Sequence, residues 1–287
     1  MNQLPDFLCR LLVCTICRGD LQVARQDALL CRVCGRSYPV DQGVARMLPE
    51  ELAADVPAAE RAEVARKRAE MRARDEQVDR YDRMWHLNLF GRVEVPATLR
   101  MLDLRSTDIL LEAGCGTGRM SVAFANRCRH LIAADYSWES LRVCAAKLAG
   151  AGITNAALVQ ADICRLPFRD GVFDRIVSCQ VLEHVPTSES RCAAVEELAR
   201  VAAPHAVMAL SAYKYSLLMR LFGQREGEHG GGIYFRRFTY AELRELLGQA
   251  WRVRRMTGAL VYHYLAQCAE PCTARRTEAV RGGAVVQ

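Results

Sequence analysis

Ile109-Leu110-Leu111-Glu112-Ala113-Gly114-Cys115-Gly116-Thr117-Gly118 decides the reading of this 287-residue chain. A short apolar run ends in an acid and breaks at once into a turn with three alternating glycines. The residues from Arg119 to Ala125 then have helical character. Strand, glycine-rich turn and helix make the first half of a doubly wound α/β unit. Glycine suits such a turn because, with no Cβ, the backbone can lie close against a ligand. Many nucleotide-binding proteins share this loop, so the sequence around it has to narrow the reading.

Toward the C-terminus the same form recurs. His130-Leu131-Ile132-Ala133-Ala134-Asp135 reads as a second strand ending in an acid, and Ala157-Leu158-Val159-Gln160-Ala161-Asp162 as a third. Asp174 to Cys179 is a fourth strand, followed by Gln180-Val181-Leu182-Glu183-His184-Val185-Pro186. Open α/β sheets bind ligands outside the carboxyl ends of their strands, where Glu112, Asp135 and Asp162 fall. Asp135 is placed to accept from ribose hydroxyls and Asp162 from an adenine amino group, with Ile163 and Leu166 as apolar walls. Both acids are also of the type that caps helices and closes turns. Cys192 to Ala202 reads as an amphipathic helix, Ala206 to Ser211 as a fifth strand, and Thr239 with Glu242 as the capping box of a further helix. Trp251 to Met256 and Ala259 to Leu265 form a closing antiparallel pair, and residues 266–287 read as a frayed tail.

As a set, Glu112-x-Gly114-x-Gly116-x-Gly118, Asp135, Ala161-Asp162-x5-Phe168, Phe173-Asp174 and Leu182-Glu183-His184-Val185 resemble the type 11 family of class I S-adenosylmethionine-dependent methyltransferases. The resemblance covers roughly residues 90–265. It implies an α/β fold with a Rossmann-like, doubly wound, seven-stranded sheet, assigned to residues 91–265. It also implies that Glu112 sits near the methionine amino group, Gly114 and Gly116 beneath the methionine part, Asp135 at the ribose, Asp162 at the adenine and Gln180 beside the sulfonium. Cys115, Gly118, Tyr136, Ile163 and Cys179 belong to the same cofactor-binding set. The sequence departs from the family at Pro204-His205-Ala206, where a Pro-Gly-Gly turn is usual.

Upstream, Cys14-Thr15-Ile16-Cys17 and Cys31-Arg32-Val33-Cys34 are two Cys-x-x-Cys pairs separated by a hairpin-length insert. That doubled spacing places Cys14, Cys17, Cys31 and Cys34 tetrahedrally around one Zn²⁺. Four protein ligands close the site, so the metal is expected to be structural. A fragment this small needs the metal to fold. With the continuation through Pro49, the region resembles the short zinc-ribbon family that includes the activator subunit of eukaryotic RNA and protein methyltransferases. That implies an accessory role and a possible protein partner through the ribbon, assigned to residues 1–50.

Residues 51–90 read as a linker. From Ala53 to about Arg83 the chain is rich in Ala, Arg and Glu, which favours a long solvated helix with i,i+4 pairs such as Glu63 with Lys67. The aromatic-bearing segment from Tyr81 to Phe90 is a candidate lid over the cofactor. Thirteen cysteines, an odd count with no signal peptide, argue against a disulfide framework and for a reducing cytoplasm. No apolar run reaches the ~18 residues of a membrane span, so no membrane partner is expected. The net charge of +6 permits an anionic partner without demanding one, since much of the positive charge lies between Arg61 and Arg83.

Methyl transfer needs an aligned nucleophile and, for many acceptors, a base. His184, directly after the fourth strand, and His229, in the glycine-rich insert Gly227 to Arg237, are the candidate catalytic residues. In and before that insert, Tyr213, Tyr215, Tyr234 and Phe235 are candidates to stack on a planar acceptor, and Arg236 and Arg237 to bind an acidic group. The leading expectation is methylation of an O, N or C atom of a small-molecule acceptor. RNA methylation, a non-catalytic cofactor-binding module that docks a partner, and a nicotinamide-linked oxidoreductase are the alternatives.

Overall fold

The computed structural model describes residues 3–25, 27–52, 62–81, 85–229, 232–259 and 263–272. The N-terminal ribbon comprises α1 (Asp6–Leu11), β1 (Leu21–Arg25), β2 (Ala28–Cys31), β3 (Ser37–Asp41) and β4 (Val44–Arg46). Two helices follow, α2 (Ala62–Tyr81) and α3 (Trp85–Leu102). The alternating unit then runs β5 (Ile109–Ala113), α4 (Ser121–Ala125), β6 (His130–Asp135), α5 (Trp138–Gly150), β7 (Ala156–Gln160), β8 (Phe173–Cys179), α6 (Ser188–Val201) and β9 (Ala202–Tyr213). An insert carries α7 (Leu217–Phe222), β10 (Glu226–His229) and β11 (Ile233–Arg236). The chain closes with α8 (Tyr240–Gly248), β12 (Trp251–Ala259) and β13 (His263–Pro271).

The cofactor domain is a seven-stranded Rossmann-like sheet in the order β7-β6-β5-β8-β9-β13-β12, the arrangement of class I methyltransferases. Its first five strands are parallel, and β13 inserts antiparallel between β9 and β12. The order reverses direction at β5, so the crevice of the sheet opens beside the glycine turn that leaves this strand. The capping box forms as expected: Thr239 accepts the Glu242 N–H while Glu242 accepts from Thr239 N. The closing pair is longer than the sequence suggested. Residues 266–271, assigned to a tail, belong to β13, where Ala266, Cys268 and Ala269 are buried between two neighbours. Small residues with weak strand propensity fit there because the central position packs them from both sides. Residues 273–287 lie outside the described residues.

The ribbon is not set apart from this domain. Strand β4 pairs in parallel with the edge strand β7, matching Val44 to Leu158, Ala45 to Val159 and Arg46 to Gln160, so one eleven-stranded sheet runs from β1 to β12. The Met47 amide continues the ladder onto the Gln160 carbonyl at 2.8 Å. Behind the sheet, Leu8, Leu12, Tyr38 and Met47 share one apolar core with Phe168, Phe173, Leu198 and Trp251. Polar contacts reinforce it: Arg18 pairs with Glu197 at 3.0 Å, and the Val13 amide donates to the Pro167 carbonyl at 2.9 Å. A sheet edge that would otherwise present open hydrogen-bonding groups is covered by the chain's own N-terminus. No helix among the described residues is long and apolar enough to cross a membrane.

Candidate functional site

In the ribbon, the Sγ atoms of Cys14, Cys17, Cys31 and Cys34 all lie within 4.8 Å of one another. Backbone amides fold back onto them: Ile16 N–H points at Cys14 Sγ and Val33 N–H at Cys31 Sγ, both at 3.4 Å. The buried Tyr38 hydroxyl lies 3.1 Å from Cys14 Sγ and accepts the Thr15 N–H at 3.0 Å, fixing the first knuckle against β3. Four converging thiolates with donors on the sulfurs fit a structural Zn²⁺ and leave no open position for catalysis.

The second site is a cavity of about 530 Å³ at the carboxyl ends of β5, β6, β7 and β8. Its walls include Glu112, Gly114, Cys115, Gly116, Asp135, Tyr136, Asp162, Ile163, Cys179, Gln180, His184 and His229. Of the cofactor set read from the sequence, Gly118 alone does not form a wall. Its φ is +77°, and a Cβ there would stand 2.6 Å from Cys144 Sγ, so this glycine lets α5 close on the turn. Gly114 has the same kind of role, since a Cβ would stand 2.2 Å from Val181. Gly116 differs: nothing lies within 4 Å of the position its Cβ would take, so open space stands over the backbone there. That bare stretch of chain beside three acids fits S-adenosylmethionine.

Each acid is held by local structure. Glu112 is buried at the end of β5 and accepts from Ser121 Oγ at 2.6 Å; burial pushes its carboxyl up to about 8. Asp135 accepts the Gly116 and Ser137 amides at 2.8 and 2.9 Å, tying the glycine turn to the end of β6. Asp162 accepts the Cys164 amide at 2.9 Å. Asp135 and Asp162 therefore close turns as well as face the cavity. Gln180, with φ +59°, is a non-glycine residue in the left-handed region, a local cost that the site retains. Its amide donates to the Ser211 carbonyl and its side chain to Glu94 at 3.0 Å.

Two groups of residues that line or brace the cavity lay outside the sequence reading. The first is α2. Lys67 reaches Asp162 at 2.8 Å, Arg74 contacts Glu70 and the Tyr136 hydroxyl, and Asp75 accepts from Ser137 Oγ and the Glu139 amide at the start of α5. The expected pair of Glu63 with Lys67 is present at 3.4 Å. The helix is nevertheless a roof over the Asp162 end of the cavity and not a solvated connector, because its inward-facing residues are charged and meet charged partners. Residues 53–61 and 82–84 lie outside the described residues; of the segment proposed as a lid, the part from Trp85 onward begins α3. The second is Glu94 on α3, fully buried, which takes hydrogen bonds from Arg119 at 2.8 Å, Gln180 at 3.0 Å and Ser211 at 2.7 Å.

At the opposite end, His184 lines the cavity with its Nδ1 2.7 Å from the Tyr234 carbonyl. A carbonyl only accepts, so Nδ1 carries the proton and Nε2 is left as the acceptor. Burial holds this imidazole well below its ordinary pKa, and His184 is neutral near pH 7. Tyr213 packs edge-on against His184, and the exposed ring of His229 stacks on Phe235 with centroids 4.3 Å apart. The other aromatic and basic candidates serve elsewhere. Tyr215 lies in a separate groove, and the Tyr234 hydroxyl is bonded to Glu226. Arg236 is engaged by Glu226 and Glu242, and Arg237 lies over Phe235. His205 pairs with Asp174 at the far end of β8.

Residues 111–210 match the methyltransferase domain family, and residues 6–43 match the Trm112p-like protein family. The chain is 33% identical over 129 residues to demethylmenaquinone methyltransferase of Thermobifida fusca, covering 44% of this chain and 53% of that one. It is 32% identical over 102 residues to tRNA (carboxymethyluridine(34)-5-O)-methyltransferase of Arabidopsis thaliana, covering 36% of this chain and 23% of that one. It thus spans about half the length of the first relative and less than a quarter of the second. Among solved structures, 1,6-didemethyltoxoflavin-N1-methyltransferase of Burkholderia thailandensis superposes with a TM-score of 0.59 at 16% identity, covering 83% of this chain and 97% of that one. That likeness bears on the fold alone.

Proposed function

Because this chain carries a methyltransferase domain built onto a Trm112p-like zinc ribbon, we infer that it transfers a methyl group from S-adenosylmethionine to a small-molecule acceptor. The observation that carries the small-molecule reading is the acceptor end of the cavity. His184, Tyr213, His229 and Ile233 form this end, the last two from the hairpin of β10 and β11, and the whole cavity of about 530 Å³ falls in the range of small-molecule sites. The cofactor supplies a methyl carbon already activated by its sulfonium. Glu112 would meet the methionine amino group, the backbone at Gly116 the methionine chain, Asp135 the ribose and Asp162 the adenine, once Lys67 yields its place on that carboxylate. Gln180, held by Glu94, would border the sulfonium. His184 would take the acceptor proton at Nε2, with Tyr213 and the stacked His229 and Phe235 flanking a planar acceptor. The absence of any disulfide among the thirteen cysteines, four of them in the zinc site, supports a reducing, cytoplasmic setting.

Calorimetry on the zinc-loaded protein tests the cofactor assignment. S-adenosylhomocysteine is expected to bind in the micromolar range, and Asp135→Ala to weaken it roughly 10- to 150-fold, the range for a lost hydrogen bond to a charged group. No binding to folded wild type at millimolar ligand overturns the reading. The second reading, an RNA acceptor, draws on the tRNA-methylating relative; steep salt dependence of RNA binding would favour it.

Glu112 gives a further expected result. Its carboxyl, raised to about 8, is protonated at neutral pH in the free protein, and an ionised form is needed opposite an ammonium group. Binding below pH 8 therefore releases a proton, so affinity should rise with pH by up to about tenfold per unit and level off above pH 8. Titrations in buffers of different ionisation enthalpy read the released proton directly. Glu112→Gln should abolish the release; an unchanged proton count in that variant removes Glu112 from this role.

A further inference from the structure

Eight large apolar side chains stand exposed among the described residues, and four of them lie together. Leu217, Leu218 and Leu221 on α7 are 73%, 46% and 70% exposed, and Tyr240 at the start of α8 is 46% exposed. Leu217 and Leu221, four residues apart, project from one side of the helix. Beside them runs an open groove lined by Lys214, Tyr215, Leu217, Leu218, Tyr240 and Tyr264. Lys214 lies with its Nζ 5.5 Å from the Tyr264 ring centre, and the Arg220 guanidinium 5.8 Å from that of Tyr215. No carboxylate pairs with either cation among the described residues. The nearby acids Glu226 and Glu242 are engaged by Arg225 and Arg236.

We propose that this patch is a peripheral docking surface for a bilayer carrying anionic phospholipids, with the α7 leucines entering the headgroup boundary and Lys214 and Arg220 meeting phosphates. Leucines that stand proud of the surface, beside cations with aromatic footing, have the composition of an interfacial segment, which needs no spanning helix. The charge selects the occupant. A second copy seated on this patch by a two-fold axis would gather two Lys214 and two Arg220 into one interface, and the like charges would repel. An anionic lipid surface instead complements them.

The patch adjoins the cavity along the chain. Tyr213 and His263 pair across β9 and β13, and Tyr213 lines the acceptor end of the cavity. Their immediate neighbours Lys214 and Tyr264 line the groove. The groove and the recess therefore share the adjoining ends of β9 and β13, with successive side chains turned to opposite faces.

Co-sedimentation of the full zinc-loaded chain with phosphatidylcholine vesicles, with and without phosphatidylglycerol, tests the proposal. Binding is expected to the anionic vesicles and to weaken with salt. The double substitution Leu217→Ser with Leu221→Ser should reduce partitioning roughly tenfold for each leucine, and Lys214→Gln with Arg220→Gln should remove the preference for phosphatidylglycerol. Melting temperature and S-adenosylhomocysteine affinity should stay at wild-type values in both variants, which separates lost docking from lost folding. The proposal is overturned if anionic vesicles leave the protein in the supernatant, or if the leucine pair leaves binding unchanged. It is also overturned if sedimentation velocity without lipid shows a dimer that the leucine substitutions dissociate, for the patch would then be a contact between copies.

Discussion

Stripping the zinc, or replacing Cys14 with serine, is expected to unfold the ribbon and to take the cofactor domain with it in one cooperative transition. Structural zinc in small domains contributes about 10–16 kcal/mol of apparent folding free energy, comparable to the ~5–15 kcal/mol that holds a whole domain together. Here that contribution is not confined to the N-terminal 50 residues. Leu8, Leu12, Tyr38 and Met47 belong to the core that also contains Phe168 and Trp251, and β4 is the neighbour of β7, whose end carries the turn to Asp162. Losing even ~4 kcal/mol of that support lowers the melting temperature of a domain this size by roughly 8–16 °C. Calorimetric melts with and without chelator, read alongside S-adenosylhomocysteine binding, check the expectation. Two separate transitions, with binding retained after the first, would show that the ribbon folds and fails by itself.

The largest effect on turnover is expected at His184. Replacing it with alanine should lower kcat by roughly 10²- to 10⁴-fold, the usual contribution of a positioned base, while S-adenosylhomocysteine affinity stays within about threefold. The sign of the pH dependence follows from burial. Because the folded pKa lies well below the ordinary 6.5, the imidazole stays neutral as pH falls through 6.5 and protonates only at lower pH. The acid limb of the wild-type profile should therefore lie below 6.5 and vanish in the variant. A kcat that survives His184→Ala would sink the assignment and turn attention to acceptors that need no deprotonation.

Much of this site was legible in the sequence, for a physical reason. Each of Glu112, Asp135 and Asp162 ends an apolar run, and the end of a parallel strand is where a doubly wound sheet exposes its ligand crevice. The four zinc cysteines announce themselves by spacing. What escaped was whatever had no local signature. Lys67, Glu70 and Arg74 face the cavity from a helix whose inner and outer sides are both charged, so no apolar stripe marked the buried face. Glu94 is one acid in an apolar helix, and its three partners come from elements far along the chain. Val44-Ala45-Arg46 is too short to advertise a strand, still less one that pairs with Leu158. The tautomer of His184 is set by a carbonyl 50 residues away.

The pairing of β4 with β7 also sets an order of events during synthesis. The ribbon's four cysteines and all its strands have been synthesised by residue 46, well before the rest of the sheet. Its partner strand ends at Gln160, about 110 residues later, which at ~5–20 residues per second is an interval of roughly 6–22 seconds. Throughout that interval Val44 to Arg46 lack their partner strand, and their backbone groups stay open to the surroundings. Newly made chains are therefore most exposed to mispairing with one another before the middle of the polypeptide arrives, and slowing translation between these two points would lengthen that exposure.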